Sequence, residues 1–285
     1  MSTGVLFDAP GPRTVRRHRL YSVISAAAVV LALGWVVWRL YDADQFTHDK
    51  WVVFTDPDYL RVLLVDGLVE TLKMAFFAII LAVVFGFVFG IGKLSDHAWI
   101  RWPSWLVVEF FRAVPVLLLM VFVWYALGIK EDNSSFLAVV IALTLYNGAV
   151  LAEVLRAGLL AVPKGQAEAA YALGMRKTQV VWIVLMPQAV KIMLPAIISQ
   201  CVVALKDTAL GTWILAPGLT KVSSQIYLEF NNRVPTMIVV AGIYIVVNLL
   251  LTLLATWIQK RFVGEKKVLE VPMVGDAQTR AKVPR

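Results

Sequence analysis

Cysteine is almost missing from this chain: Cys201 is the only one in 285 residues, which excludes an internal disulfide framework and a cysteine metal site. It lies in an apolar stretch and reads as a small packing residue, not a reactive thiol. Histidine is also scarce, with three in the chain. His18, His48 and His97 are scattered outside the apolar runs, so no histidine metal cluster is expected. The phosphate-loop pattern G-x-x-x-x-G-K-[ST] does not occur, so ATP is not held by that device. No nucleophile–base constellation is evident either, and no catalytic residues are expected. Charged residues make up 16% of the chain, against roughly 25% in a soluble domain. That shortage excludes a water-facing fold.

What fills the chain instead is apolar sequence, 60% hydrophobic, gathered in runs that match the roughly 20 residues a helix needs to cross a bilayer. Spans are expected at about 20–41, 67–93, 104–128, 136–160, 190–214 and 236–259. The runs lack the alternation of barrel strands, so an all-α integral membrane protein with six transmembrane helices is expected. The first run is closed by Trp35, Trp38 and Arg39 and has no small-residue cleavage site, so it reads as a retained span and not as a signal peptide.

The net charge of +8 could suggest nucleic acid, but the basic residues sit in the tails and in alternate connections. Arg13 to Arg19, then Lys93 and Arg101, then Lys164, Arg176, Lys177 and Lys191, and finally Lys260, Arg261, Lys266 and Lys267 fall on one side. Asp42, Asp44, Asp49, Asp56, Asp58, Glu131 and Asp132 fall on the other, while Lys221, Glu229 and Arg233 are mixed. Positive connections face the cytoplasm. Both termini are therefore expected inside, in a bacterial inner membrane, with the lipid bilayer as partner and no nucleic acid.

The expected organisation is a basic cytoplasmic segment 1–19, a first helix 20–41, an external segment 42–66 lying partly on the membrane surface, a five-helix domain 67–260 and a disordered cytoplasmic tail 261–285. Gly86 and Gly90 form a G-x-x-x-G pair suited to close helix packing.

The connection 161–187 is too long for a turn. Pro163 suits the first turn of a helix, Gln166 to Leu173 favours one, and Gly174 stops it. Thr178 is placed to cap a second short helix, Gln179 to Leu185, which Pro187 is expected to end. Such a folded knuckle is either a partner site or an internal brace.

Glu168-Ala169-Ala170, then Gly174, then Val184-Leu185-Met186-Pro187 resembles the EAA loop of ABC importer permeases, with Val184 and Met186 as conservative departures. Glu109-Phe110-Phe111-Arg112-Ala113-Val114-Pro115 resembles the E-x-F-R-G-T-P element of the polar amino acid permeases, the histidine, glutamine, glutamate and arginine type. Leu151 to Gly158, Val162 to Gln166 and Leu205-Lys206-Asp207-Thr208-Ala209-Leu210 resemble further elements of that family. Ala113 and Val114 depart from the family's Gly and Thr.

The resemblance implies a type I ABC importer permease core, of which the first helix is an extra. It implies two ATP-binding cassette subunits that carry ATP and Mg, a second permease chain, identical or related, and an external substrate-binding protein. Glu168, Ala169, Ala170 and Gly174 would then couple to the ATPase. The reading leans toward glutamate or a related amino acid.

An ionisable residue inside a span costs about 2.5–3.5 kcal/mol and so faces a partner or a wet cavity. Arg112, Glu153, Lys206 and Asp207 qualify, with Asn147 as a neutral companion. Arg112, Asn147, Glu153 and Asp207 are the candidate substrate path: the guanidinium suits a carboxylate and the acids suit an ammonium. Equally, Glu109 can pair with Arg112 and Glu153 with Arg156 at helical spacing, and Lys206 can snorkel. Asp207 is expected farther from the cytoplasm than Glu153. A standalone carrier or channel, or a membrane-embedded lipid enzyme, are the competing functions.

Overall fold

The structure is a computed structural model that describes residues 12–128 and 134–263. Glu131, Asp132, most of the tail and the first eleven residues lie outside the described residues. Helix α1 spans Pro12–Asp42. A chain of short helical turns follows, His48–Trp51, Val52–Thr55 and Pro57–Arg61. Then come α2 (Glu70–Lys93), α3 (Ala98–Ala113), α4 (Val116–Leu127) and α5 (Ser134–Leu160). Next are α6 (Lys164–Ala172), α7 (Met186–Asp207), α8 (Leu219–Phe230) and α9 (Arg233–Val263). Among the described residues, five helical stretches are long and apolar enough to cross a membrane, and α3 with α4 make a sixth if counted as one bent span.

Three expectations need correction. The stretch 104–128 is no single helix: α3 and α4 meet at 105°. Pro115 is the reason, because it lacks an N–H and its ring disfavours helical geometry at the residue before it. Val114 is accordingly extended, at φ −81°, ψ 126°. The second span starts earlier than expected, at Pro57, where the Asp56 carboxylate accepts from the Asp58 N–H and caps the turn. Pro187 does not end a helix. A helical stretch runs on from Lys177 to Ile214, with π-helical geometry over Val180–Leu185 just before the proline, a widened turn that relieves the ladder where one donor is missing. Its start is capped by Gln179, whose side chain accepts from the Arg176 N–H, and not by Thr178.

The chain divides into two compact units. In the first, formed among the described residues by those up to 70 and by 217–242, the short turns pack on α8: Leu63 and Leu219 are fully buried, Tyr59 meets Phe230 edge-on at 5.1 Å, and Asn232 donates to the Lys50 carbonyl. The segment expected to lie partly on the membrane surface packs on α8. In the second unit, formed by the described residues within 71–216 and from 243 on, α5 is the central element. Met120, Val139, Leu143 and Ile214 form one buried cluster around it, and Leu155, Leu159, Met186 and Met193 another.

Lipid is as apolar as leucine, so helices associate here by close packing more than by the hydrophobic effect. Gly86 and Gly90 provide close approach. A Cβ on Gly86 would stand 2.7 Å from Leu151 Cβ and 3.0 Å from the Gly148 carbonyl; one on Gly90 would stand 3.0 Å from the Ala152 carbonyl.

Candidate functional site

Two polar regions occur within the second unit, at different heights along α5. The deeper one is built on Asn147, whose side chain is 99% buried. Its amide donates to the Leu143 carbonyl at 2.9 Å, and its carbonyl accepts from Gln200 Nε2 of α7 at 2.6 Å. Gly158 of α5 lies against Met193 and Ala189 of α7, so α5 and α7 run antiparallel. Six residues along α5 lead from Asn147 to Glu153, while seven along α7 lead from Gln200 to Asp207 in the opposite direction. At about 1.5 Å per residue, Glu153 and Asp207 are about 20 Å apart along the helices. They do not form one ligand shell. Asp207 is half-buried and has no ion-pair partner among the described residues. Its neighbour Lys206 turns instead to a separate pocket of about 440 Å³ beside Tyr244 and Asn248.

The second region is a charge network where α2 ends, α3 passes and α5 nears its end. Lys93 Nζ reaches Glu109 Oε1 at 3.1 Å and also pairs with Glu153, with its side chain only 6% exposed. Glu109 is shared with Arg112 Nη1 at 3.2 Å, and Glu153 with Arg156 Nη1 at 3.8 Å. Both pairings allowed by helical spacing are therefore present, and Lys93 joins them. The apolar path before Lys93 was the available signal, since a lysine following Gly90-Ile91-Gly92 cannot move far from its packed helix. Gln200 carried no signal, because its partner lies on another helix. The network opens into a pocket of about 480 Å³ that also reaches Arg101, Trp102 and Trp105.

Beyond both regions, α6 projects as a short helix. It ends in a Schellman arrangement: the Gly174 N–H bonds the Tyr171 carbonyl and the Met175 N–H the Ala170 carbonyl. Gly174 sits at φ +78°, a geometry that side-chain-bearing residues resist. Glu168 and Ala169 are exposed, whereas Ala170 is buried and supports the knuckle from within. Leu173 is 83% exposed at the tip, an apolar side chain whose exposure the helical pattern did not reveal. Lys177 of the following turn pairs with Asp96 and donates to the Leu94 carbonyl at 3.3 Å. The hydrogen bond that Lys177 donates to Asp96, aided by the lysine's charge, lowers the Asp96 carboxyl from its ordinary value.

Residues 73–264 match the family described as the binding-protein-dependent transport system inner membrane component. The chain belongs to that family. This permease is a transport component and not itself an enzyme, and membership implies ATPase and substrate-binding partners and a multi-pass place in the inner membrane. It is 42% identical over 221 residues to the glutamate transport system permease protein GluD of Corynebacterium glutamicum, covering 76% of this chain and 81% of that one. It is 35% identical over 203 residues to the probable glutamine ABC transporter permease protein GlnP of Bacillus subtilis, covering 69% and 92%. Among solved structures, a crystal structure of an amino acid ABC transporter with histidines superposes with a TM-score of 0.68 at 30% identity, covering 74% of the permease and 98% of that chain. The likeness to polar amino acid permeases read from the motifs thus extends through the core, and the permease has the type I fold.

Proposed function

We propose that the permease forms part of the translocation path of an ATP-driven importer for amino acids, with glutamate as substrate. The exposed knuckle carries this reading: Glu168, Ala169 and Leu173 stand out on a helix whose end is fixed by Gly174. Small residues let a partner surface approach, Glu168 supplies a charge and Leu173 an apolar anchor. The name of the Corynebacterium relative supports glutamate.

In this reading two permease chains, identical or related, stand over two ATPase subunits that hold ATP and Mg, with a binding protein outside and both termini in the cytoplasm. Closure of the ATPase pair pushes on Glu168, Ala169 and Leu173. The rigid Schellman end passes the push into the continuous helical stretch Lys177–Ile214. Arg112, Asn147, Glu153 and Asp207 serve successive stretches of the path. The unpaired Asp207 attracts the ammonium first, the Asn147–Gln200 amides follow, and the Glu109–Arg112 and Lys93–Glu153 pairs exchange partners with the substrate's own charges near the exit.

Tagged wild-type permease from native membranes is expected to bring down an ATPase with a phosphate loop. Glu168→Arg/Gly174→Leu is expected to lose it at least tenfold while remaining in the membrane. Recovery of no ATPase with wild type, in mild detergent, would sink the reading in favour of a standalone carrier.

A further inference from the structure

The pocket of about 480 Å³ holds a surplus of positive charge. Lys93, Arg101, Arg112 and Arg156 surround it or its carboxylates, against Glu109 and Glu153. Each carboxylate is already engaged by two cations: Glu109 by Lys93 and Arg112, Glu153 by Lys93 and Arg156. Lys93 is enclosed and already holds both carboxylates. Arg156 is held loosely, at 3.8 Å, and Arg101 is held through one bond to the Ser95 carbonyl at 3.2 Å. These two guanidiniums each have further N–H donors to offer an oxyanion.

The wall beside them is aromatic. Trp102 and Trp105 pack edge-to-face at 5.7 Å and are 65% and 45% exposed. Exposed tryptophans next to arginines, at the ends of membrane-spanning helices, are the composition of the headgroup layer. An oxyanion here would use Arg101 and Arg156, and not the Glu109–Arg112 and Lys93–Glu153 pairs that serve the substrate.

We propose that this pocket binds a phosphate oxyanion, supplied by the headgroup of an anionic phospholipid, with Arg101 and Arg156 as donors and the Trp102–Trp105 pair against the glycerol and upper acyl chain. Basic pockets between spanning helices hold such headgroups by the same combination of charge and shape. The site depends only on the membrane setting and not on which substrate the importer carries.

The test is native mass spectrometry of the detergent-purified permease with its co-purifying subunits, exposed in turn to phosphatidylglycerol, phosphatidylethanolamine, inorganic phosphate and glutamate. Wild type is expected to retain phosphatidylglycerol over phosphatidylethanolamine. Arg101→Gln/Arg156→Gln is expected to lower that occupancy about tenfold, and Arg101→Lys/Arg156→Lys to keep most of it. Displacement by millimolar inorganic phosphate would keep the oxyanion site but assign it to a soluble ligand. Equal retention of the two lipids, unchanged occupancy in the glutamine variant, or displacement by glutamate would each overturn the proposal.

A second measurement serves if the charge variants fail to assemble. Phosphatidylglycerol brominated high on its acyl chains is expected to quench wild-type tryptophan fluorescence. Trp102→Phe/Trp105→Phe should lose more of the headgroup-selective part than Trp35→Phe/Trp38→Phe. The reverse order would also overturn the site.

Discussion

Helices α1 and α5 are both long, apolar and able to cross a membrane, yet none of the apolar window of α1 is buried while 61% of that of α5 is. The difference lies in what the surfaces allow. In α5, Gly148, Ala149, Ala152 and Gly158 let neighbouring helices come to backbone distance, and Phe85, Leu155 and Met193 fill the spaces between. In α1, Gly34 has nothing within 4 Å of where a Cβ would stand. Hydropathy therefore tells which segments enter lipid, whereas size and shape tell which of them find a protein neighbour.

This contrast can be broken most forcefully at the glycines. Gly86→Leu drives a side chain into Leu151 and the Gly148 carbonyl, and is expected to cost about 3 kcal/mol, the upper end for overpacking. Gly34→Leu in α1 is expected to change nothing. Thermal unfolding in detergent, followed by size-exclusion fluorescence, measures both; equal effects would show that α1 has a packing partner.

The ion pairs sharpen the same comparison. Lys93→Ala leaves Glu109 and Glu153 without their shared cation. It is expected to destabilise by about 2 kcal/mol, less than the ~3–5 of a fully buried pair because the glutamates are partly exposed. Arg39→Ala breaks an exposed pair with Asp42 at 3.5 Å in α1 and should have an effect within about 0.5 kcal/mol. Denaturant titration of both variants would separate them.

A smaller step is expected for the polar pair. Asn147→Ala removes a buried partner of Gln200 and should cost about 1 kcal/mol, in line with hydrogen bonds between spanning helices. Ser25→Ala in α1, whose hydroxyl bonds only the Ser22 carbonyl three residues away, should be silent.

A small effect is expected outside the membrane, at Asp96. Its folded carboxyl titrates below the usual value because it accepts from Lys177, so the stabilisation it provides is present above the unfolded pKa. That stabilisation is lost as pH falls through the lower, folded value. Both groups are exposed, so salt screens the pair. Asp96→Asn should flatten a small acid-side loss of stability below about pH 4 and remove its salt dependence; an unchanged acid limb would show that the contact contributes nothing.

Much of the fold was legible because membrane insertion depends on local sequence alone. A run of about 20 apolar residues enters lipid wherever it lies, so the spans could be read without knowing their neighbours. Gly86 and Gly90 were legible as a packing pair for a related reason, since a bare backbone strip is a property of one helix. Gly174 could be read because a left-handed helix end calls for glycine whatever surrounds it.

The site was legible in part. Arg112 and Glu153 declared themselves as charges in apolar sequence, but their partners at longer range did not. Lys93 meets Glu153 sixty residues away, and Gln200 meets Asn147 across two helices. The bend at Val114–Pro115 was hidden inside a continuous hydrophobic run, because hydropathy ignores the backbone donor that proline removes.

Local sequence was enough to show that this chain crosses a membrane through helices, bears a glycine-terminated knuckle, and resembles the polar amino acid permeases. Only the tertiary structure decided that Glu153 and Asp207 stand about 20 Å apart on antiparallel helices and that Lys93 holds two carboxylates at once. Residues distant in the chain become neighbours through packing, and no local propensity records which faces will meet.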